Sequence, residues 1–457
     1  MSKYPIKRIR TLALVGQAGS GKTSLAEALL ARAGAIPAAG SVERGSSVCD
    51  YTPLEKTFKH SLKLAVASFE HQDHHVHLLD TPGYPDFLGQ ALPALAAVET
   101  AAIVINAQNG IEMMTGRFMQ WAAKRGLDRL LIVNKIDADN TDLPGLLEKI
   151  QQTFGKECLP INLPAASASK VSDCFFAPAG EADFSSIEEA HRKLVEQVVE
   201  VDEKLMGVYL EKGEVAPEEL HEPLERAMRE GHLIPVVFTS ARTGAGIGEL
   251  LDVIVKLLPN PAEGNPPVYH QQDAGGGAFS ELTALPDPGL HVLAHVFKVE
   301  IDPYIGRLAV FRVHQGRITP GTQLYIGEGR KPVKAGHLYV LKGKTQVEVA
   351  EAVPGDICAI AKIDDIQFDH ILHDSPGDAH IHARPLELPV AVFGLAVQPK
   401  KRGDEQKVSD VLHKLMAEDP CFRLEHNAQA NETVMRGIGE MHLKVMLEKM
   451  EIGRAHV

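Results

Sequence analysis

Cysteine is scarce in this chain of 457 residues. There are five (Cys49, Cys158, Cys174, Cys358 and Cys421), an odd number, scattered and without a Cys-x-x-Cys pair. That excludes a disulfide framework and a zinc ribbon, and it fits a reducing cytoplasm. Long apolar runs are missing too, so the sequence offers no helical membrane span. The basic N-terminus leads into an apolar segment too short for a secretory core. Positive charge is in deficit, with 47 Lys and Arg against 60 Asp and Glu and a net charge of −13, which excludes a generic nucleic-acid coat. Any contact with RNA has to come from local basic patches. What the chain does have is apolar content, 44%, and a length sufficient for about three domains with sizeable cores.

Four short stretches carry the chemistry. Gly16-Gln17-Ala18-Gly19-Ser20-Gly21-Lys22-Thr23 follows the apolar run Thr11 to Val15 and opens an Ala- and Leu-rich segment from Thr23 to Ala33. This strand, loop, helix order lets backbone N–H groups turn around phosphate oxygens. Lys22 can reach the outer phosphates, and Thr23 can offer a hydroxyl to Mg²⁺. Asp80-Thr81-Pro82-Gly83 ends a second apolar strand, Val76 to Leu79. There a carboxylate can hold a water of the Mg²⁺ shell, while Gly83 frees an N–H for the γ-phosphate. Asn134-Lys135-Ile136-Asp137 follows a third strand, Leu130 to Val133, and puts a carboxylate where the N1–H and 2-amino edge of guanine can donate twice. Adenine lacks that donor pair. Ser240-Ala241, after Ile234 to Phe238, can close over the base with a backbone N–H. The four stretches predict a GTP/GDP site with Mg²⁺.

The rest of the chain organises around that site. Strands and helices alternate from Thr11 to about Leu258, the pattern of a mainly parallel sheet covered on both faces. Cys158 to His232 reads as an insertion, with Ile187 to Leu210 and Pro217 to Met228 at helical spacing. Residues 262–289, with Gly275-Gly276-Gly277, read as a linker. From 290 to 384, short alternating strands (His291 to Val299, Arg307 to Gln315, Gln323 to Ile326, Val333 to Tyr339) predict a small antiparallel barrel. From Pro385 to Glu451 the pattern strand (Pro389 to Pro399), helix (Asp404 to Glu418), strand (Phe422 to His426), strand (Thr433 to Arg436), helix from Glu440 predicts a partial split β-α-β unit. The expected fold class is multidomain α/β, with a P-loop domain over 1–261. Ile452-Gly453-Arg454-Ala455-His456-Val457 back-translates to a string resembling a sequencing adapter. It carries no weight for the fold, and the natural protein is expected to continue beyond Met450 or Glu451.

With these motifs in this order, the chain resembles bacterial elongation factor G. The barrel segment carries Asp302-Pro303-Tyr304-Ile305-Gly306-Arg307-Leu308 and Pro354-Gly355-Asp356-Ile357. The third carries Glu418-Asp419-Pro420-Cys421-Phe422-Arg423 and Gly437-Ile438-Gly439-Glu440-Met441-His442-Leu443. The resemblance implies a cytoplasmic, monomeric GTPase acting on the ribosome, through rRNA and ribosomal proteins. Its GTP hydrolysis would promote movement of the tRNA–mRNA complex. Three departures stand out. Gly16, Gln17 and Gly19 replace the family's Ala, His and Asp in the phosphate loop. Phe58-Lys59-His60-Ser61 aligns with the usual Arg-Gly-Ile-Thr of the first switch, which makes Ser61 the candidate Mg²⁺ ligand beside Thr23. Tyr84 stands where the family has the His that positions the attacking water. Tyr84 and Lys22 are then the candidate catalytic residues, and a divergent paralogue with slow hydrolysis is expected, because a phenol does not titrate like an imidazole near neutral pH. His71, His74, His75 and His77 fall on alternate faces of a strand edge and read as structural, as does His442. Lys400-Lys401-Arg402 reads as a solvated loop.

Overall fold

The computed structural model describes residues 4–213, 215, 219–265, 267–272, 279–302, 305–399, 403–427 and 432–452. Pro217, Gly275-Gly276-Gly277, Pro303-Tyr304, Lys400-Lys401-Arg402 and 453–457 of the tail lie outside the described residues.

β1 (Ile9–Val15) is buried along its whole length, the environment of a strand covered on both faces. Around it lie β2 (Ala65–His71), β3 (His74–Asp80), β4 (Thr100–Asn106), β5 (Asp128–Asn134) and β6 (Cys158–Pro160). A hairpin of β7 (Asn162–Ala165) and β8 (Lys170–Asp173) follows, and β9 (Ile234–Phe238) returns to the sheet. The seven strands run β2-β3-β1-β4-β5-β9-β6, parallel except for the antiparallel β2–β3 pair. Strand order reverses on either side of β1, and ligand loops belong at the carboxyl ends of the strands at such a point. α1 (Lys22–Arg32), α4 (Met113–Arg125), α5 (Leu143–Phe154) and α9 (Ile247–Lys256) pack with this sheet, and α2 (Pro53–Phe58) and α3 (Leu88–Ala91) lie in its connecting segments.

The structure revises several sequence expectations. Cys158–Pro160, read as the start of an insertion, is an edge strand of the main sheet. The periodic run Ile187 to Leu210 is two helices, α6 (Ile187–Val199) and α7 (Glu203–Lys212), because the Asp202 carboxylate accepts from the N–H groups of Lys204 (3.0 Å) and Leu205 (3.1 Å) and starts a new helix. α8 (His221–Glu230) completes the region. The supposed linker contains β10 (Val268–Gln272) and β11 (Phe279–Thr283), paired with each other and, through β10, with the later β20 (Ile381–Ala383). Its third strand comes from far along the chain, so no local pattern announces the sheet.

The barrel segment is an antiparallel half-barrel of eight strands. They are β12 (Leu293–Asp302), β13 (Gly306–Gln315), β14 (Gln323–Ile326), β15 (Val333–Lys334), β16 (Leu338–Lys342), β17 (Thr345–Val349), β18 (Ile357–Ala361) and β19 (Ile371–His373), in the order β15-β14-β19-β12-β13-β18-β16-β17. The expected strand Val333 to Tyr339 is therefore one two-residue strand, β15, and the start of another, β16. Beyond it, β21 (Phe393–Val397), α10 (Glu405–Glu418), β22 (Arg423–Asn427), β23 (Glu432–Gly437) and α11 (Glu440–Ile452) form a small α+β unit with its own core around Leu412, Phe422, Met435 and Leu443. No helix among the described residues is long and apolar enough to cross a membrane.

Two largely buried ionic contacts fasten the barrel to the nucleotide domain. Arg312, almost wholly buried, pairs with Glu99 and donates to the Gly355 carbonyl at 2.7 Å. Glu300 pairs with Lys63 and, at 3.1 Å, with Lys298, and it accepts from the Tyr51 hydroxyl at 3.2 Å. The turn between β16 and β17 also reaches the sheet edge, where Gly343 N–H donates to the Val66 carbonyl of β2 at 2.9 Å.

Burial pushes the Glu300 carboxyl up, but Lys298 and Lys63 outweigh it and hold it well below the usual carboxylate range. Because the folded-state value is depressed, this stabilisation is present above the unfolded-state value of about 4.3 and is lost as pH falls toward the folded one. Glu300→Gln strands the buried Lys298 ammonium and the partly buried Lys63 ammonium and is expected to cost on the order of 2 kcal/mol near neutral pH. It should also remove part of the stability lost in acid below about pH 4. Denaturant unfolding at several pH values checks both, and a variant as stable as the parent at neutral pH would contradict them.

Candidate guanine-nucleotide site

All four predicted stretches converge at the carboxyl ends of β1, β3, β5 and β9. Gly16 to Gly21 wrap from β1 into α1, whose first residue is Lys22. Gly21 takes φ +91°, and a Cβ on it would lie 2.5 Å from the Asn134 amide nitrogen. Gly83 is equally constrained from the other side, since a Cβ there would lie 2.5 Å from Lys22 Nζ and 2.6 Å from Ala18 N. Backbone and lysine thus crowd the place where phosphate oxygens belong, and only glycine keeps both walls open.

Lys22 donates to the carbonyls of Gly16 (3.0 Å) and Gln17 (2.9 Å), and burial lowers its ammonium to about 8 despite the nearby Asp80 and Asp50 carboxylates. Its charge is held in a dry place, ready for an anion. The Gln17 side chain accepts from Met114 N–H at 3.3 Å, and Ala18 N–H donates to the Gly83 carbonyl at 3.0 Å, which ties the phosphate loop to the Asp80 stretch. Thr81 anchors that stretch to β1, its hydroxyl donating to the Leu14 carbonyl at 2.7 Å, and Pro82 is buried beside it.

Beside Lys22 lies a cluster of hard oxygen donors. The Thr23 hydroxyl donates to Asp80 Oδ2 at 2.7 Å and stands 3.0 Å from the Ser61 hydroxyl. Asp80 Oδ1 and both oxygens of Asp50 are buried without a hydrogen-bond partner. Burial raises both carboxyls well above their ordinary range, Asp50 being pushed further by Asp80. Orphaned carboxylate oxygens next to two hydroxyls fit a small hard cation such as Mg²⁺, with phosphate oxygens completing its shell. Thr23, Ser61 and Asp80 would hold it, and its chemistry there would be to neutralise charge on the phosphates. Asp50, missed in the sequence, joins them because the segment Gly40 to Cys49 is hung on Glu27 of α1. That carboxylate accepts from the N–H groups of Gly40 (2.8 Å) and Val48 (2.6 Å) and from the Ser47 hydroxyl (2.8 Å).

At the base end, the Asn134 amide donates to the Ser20 carbonyl at 3.0 Å, and its oxygen accepts from Ala241 N–H at 3.1 Å. Ser240 N–H donates to the Ala245 carbonyl at 2.8 Å. Both N–H groups are thus engaged within the protein, where the sequence suggested one of them facing the base. Ala241 N–H braces Asn134, and Ser240 N–H closes the turn onto Ala245. Lys135 (φ +65°) donates to the Gly19 carbonyl at 2.8 Å, Ile136 is buried, and Asp137 receives Arg242 Nε at 2.5 Å. Arg242 is largely exposed whereas Asp137 is not. A ligand offering two N–H donors can take over that carboxylate as Arg242 turns out to solvent.

The first switch is shaped by Glu55. With Thr52 it forms a capping box at the start of α2, Glu55 N–H donating to the Thr52 hydroxyl (3.3 Å) and Thr52 N–H to the Glu55 carboxylate (3.1 Å). The same carboxylate accepts from Leu62 N–H at 3.2 Å. Phe58 to Ser61 is thereby folded back over the pocket. This brings His60 Nε2 to 3.1 Å from the Tyr84 hydroxyl. His60 is a second pocket residue, one that the sequence placed in the first-switch tetrapeptide without giving it a role. The flagged histidines lie elsewhere: His75 and His77 meet edge-on at 4.5 Å, and His77 Nε2 accepts from Ile357 N–H of the barrel at 3.3 Å. His442 is buried against Asp419 at 3.3 Å.

Known families match in the same order along the chain. The family described as "Elongation factor Tu GTP binding domain" matches residues 7–260, "Elongation factor G domain 2" matches 291–371, and "Elongation Factor G, domain III" matches 388–453. The chain belongs to the elongation factor G family. Among relatives of this elongation factor G-type chain, the "Elongation factor G-like protein" of Mycobacterium tuberculosis, in two strains, is 33% identical over 97% of the chain. The chain spans 65% of the length of those relatives. A solved protein of Thermus thermophilus superposes with a TM-score of 0.84 at 33% identity, covering 98% of this chain and 67% of that one.

Asp137→Asn is expected to exchange guanine for xanthine nucleotides, because the 2-oxo group of xanthine requires a donor where the 2-amino group of guanine requires an acceptor. Calorimetric titration with GDP and XDP checks this, and retained preference for GDP would place the base elsewhere.

Proposed function

We propose that the chain is the GTP-reading part of a cytoplasmic factor that acts on the ribosome, where GTP hydrolysis drives movement of the tRNA–mRNA complex. The supporting observation is how the second and third units meet the two switch segments. The segment after Gly83 carries Asp86, whose carboxylate accepts from His442 N–H at 3.2 Å, and Gln90, which donates to the Glu418 carbonyl at 3.1 Å and to Asp419 at 3.2 Å. Leu54, Leu62 and Phe87 share one apolar cluster with Val445, and the Lys444 ammonium lies over the Phe58 ring, 5.6 Å from its centre. On the barrel side, Glu300 holds Tyr51 and Lys63 at either end of the first switch. Any rearrangement of Ser61 or Gly83 around a γ-phosphate is therefore passed straight to units that would face rRNA and ribosomal proteins.

In this reading the P-loop domain covers residues 1–261 and is followed by the hairpin-bearing connection, the half-barrel over 290–384 and the third unit over 385–451. Lys22 and the Mg²⁺ held by Thr23, Ser61 and Asp80 offset phosphate charge, and Asp137 selects guanine. Tyr84 faces the attacking water. A second reading follows from Tyr84 itself: a GTP-gated factor that occupies, recycles or protects the ribosome with slow turnover.

Sedimentation with ribosomes in the presence of GDP or a non-hydrolysable GTP analogue tests the coupling, for which about 5- to 150-fold tighter retention in the GTP state is expected. Asp86→Ala should shrink that ratio without altering nucleotide affinity. Equal retention with both nucleotides would sink the proposal, and a GTP-dependent ratio with negligible turnover would favour the slow reading.

A further inference from the structure

The end of α4 carries two side chains that the nucleotide site does not use. Trp121 and Arg125 are four residues apart and so stand on one face of the helix. Trp121, the single tryptophan of the chain, packs edge-on against Phe118 at 5.3 Å. Arg384 comes to the same place because β20 pairs with β10, with Ala383 opposite Tyr269. Together with Leu92, Leu95 and Leu386, these three residues line a cavity of about 60 Å³. That is space for about four to six water-sized groups, enough for a small ring or a branched chain. Both arginines also line a second cavity, of about 90 Å³, with Tyr269.

Two positive charges meet there without an anion of their own. Among the described residues neither guanidinium is paired with a carboxylate: Arg125 has no hydrogen-bond partner, and Arg384 donates to the Lys124 carbonyl at 3.4 Å. The nearby carboxylates are engaged elsewhere, Glu387 by Lys124, Glu99 by Arg312 and Asp369 by His295 at 2.7 Å. Burial and, after it, the Arg384 charge hold the Arg125 guanidinium below its usual value, against a smaller opposing effect of Asp369. Side chains placed only to cover apolar surface with their stems would send their charged heads apart into solvent. Like charges kept together in a partly dry place call for a counter-charge, and two planar forks of N–H donors match the oxygens of a carboxylate or a phosphate.

We propose that Arg125 and Arg384 form an effector site for a small anion with an apolar body, a carboxylate or a phosphate monoester. Its head lies on both guanidiniums, and its ring or branched chain lies against Trp121, Leu92 and Leu95. The walls of this site belong to different units: α4 is part of the P-loop domain, whereas Arg384 to Leu386 lead from the half-barrel into the third unit. A bound anion offsets the repulsion across that seam and fastens the connection to α4. Occupancy thereby restrains the third unit, which holds Asp86 and Gln90 of the second switch.

The test reads Trp121 fluorescence, which reports on this cavity in a chain with one tryptophan, as phenyl phosphate or phenylacetate is added in a chloride buffer. GDP and Mg²⁺ are kept saturating, so that phosphate esters find the nucleotide pocket filled, and calorimetry catches binding that leaves the fluorescence unchanged. Saturable binding with a Kd on the order of 1 mM is expected for at least one probe, and the tighter of the two names the head group. Arg125→Gln and Arg384→Gln should each weaken it by about 10- to 100-fold, and Arg125→Lys by less. Benzyl alcohol, which has the ring without the charge, should not saturate, and inorganic phosphate should bind less tightly than phenyl phosphate. Without a ligand, Arg384→Gln should melt no lower than the parent, because it removes a like-charge contact. The tighter probe should raise the melting temperature of the parent and not that of the variant. Binding of neither probe, or equal binding by the parent and both Gln variants, overturns the proposal. So does a lower melting temperature of ligand-free Arg384→Gln, the mark of a structural residue.

Discussion

Two carboxylates are buried within reach of one another at the floor of a pocket meant for phosphates, and that conflict of charge governs the arrangement. Asp80 and Asp50 lie dry, with three of their four oxygens unpartnered, and burial alone resists their ionisation. A single buried ammonium, Lys22, stands opposite. Phosphate groups would add negative charge, which a divalent cation beside them would offset. Every segment that would supply an oxygen to such a cation has to be brought in and held, which fits the amount of local structure devoted to positioning Asp50 and Ser61.

The holding is done by carboxylates that serve the backbone. Glu27 gathers the loop before Asp50, and Glu55 both caps α2 and receives the chain after Ser61. Glu300 reaches from the half-barrel to the residues that flank these turns. The third unit holds the other switch through the N–H of His442 and the Gln90 amide. The nucleotide site is thus built from one domain's sheet but closed from three directions, and its state is shared with its neighbours through hydrogen bonds of specific length and direction.

How much of this was legible in the sequence follows from distance along the chain. Lys22, Asp80, Asn134 and Asp137 each sit shortly after an apolar strand, so their convergence could be inferred from strand order alone. Ser61 was reachable through the resemblance of its tetrapeptide. Asp50 carries no local signature, and His60, though inside that tetrapeptide, was given no role of its own. Their roles appear once Glu27, Glu55 and Tyr84 are in place, and those contacts span from a few residues to more than twenty. The strands β10 and β11 were obscured for a different reason: glycines between them imitate a linker, while their stabilising partner β20 follows the half-barrel. The break at Asp202 could have been read, since an aspartate two to three residues ahead of two backbone N–H donors is a helix start, but the apolar periodicity on both sides concealed it.

One contact outside the pocket covers an edge of the sheet. β2 is the last strand of the nucleotide domain's sheet, antiparallel to its neighbour and mostly apolar. An uncovered strand of that kind is a template for pairing with another molecule. The turn at Gly343 lies against that edge, its N–H on Val66, with so little room that a Cβ would meet the Val48 carbonyl at 2.1 Å. The half-barrel therefore acts as the cover of an otherwise sticky border, and a nucleotide domain cut away from it would lose solubility before it lost its ligand.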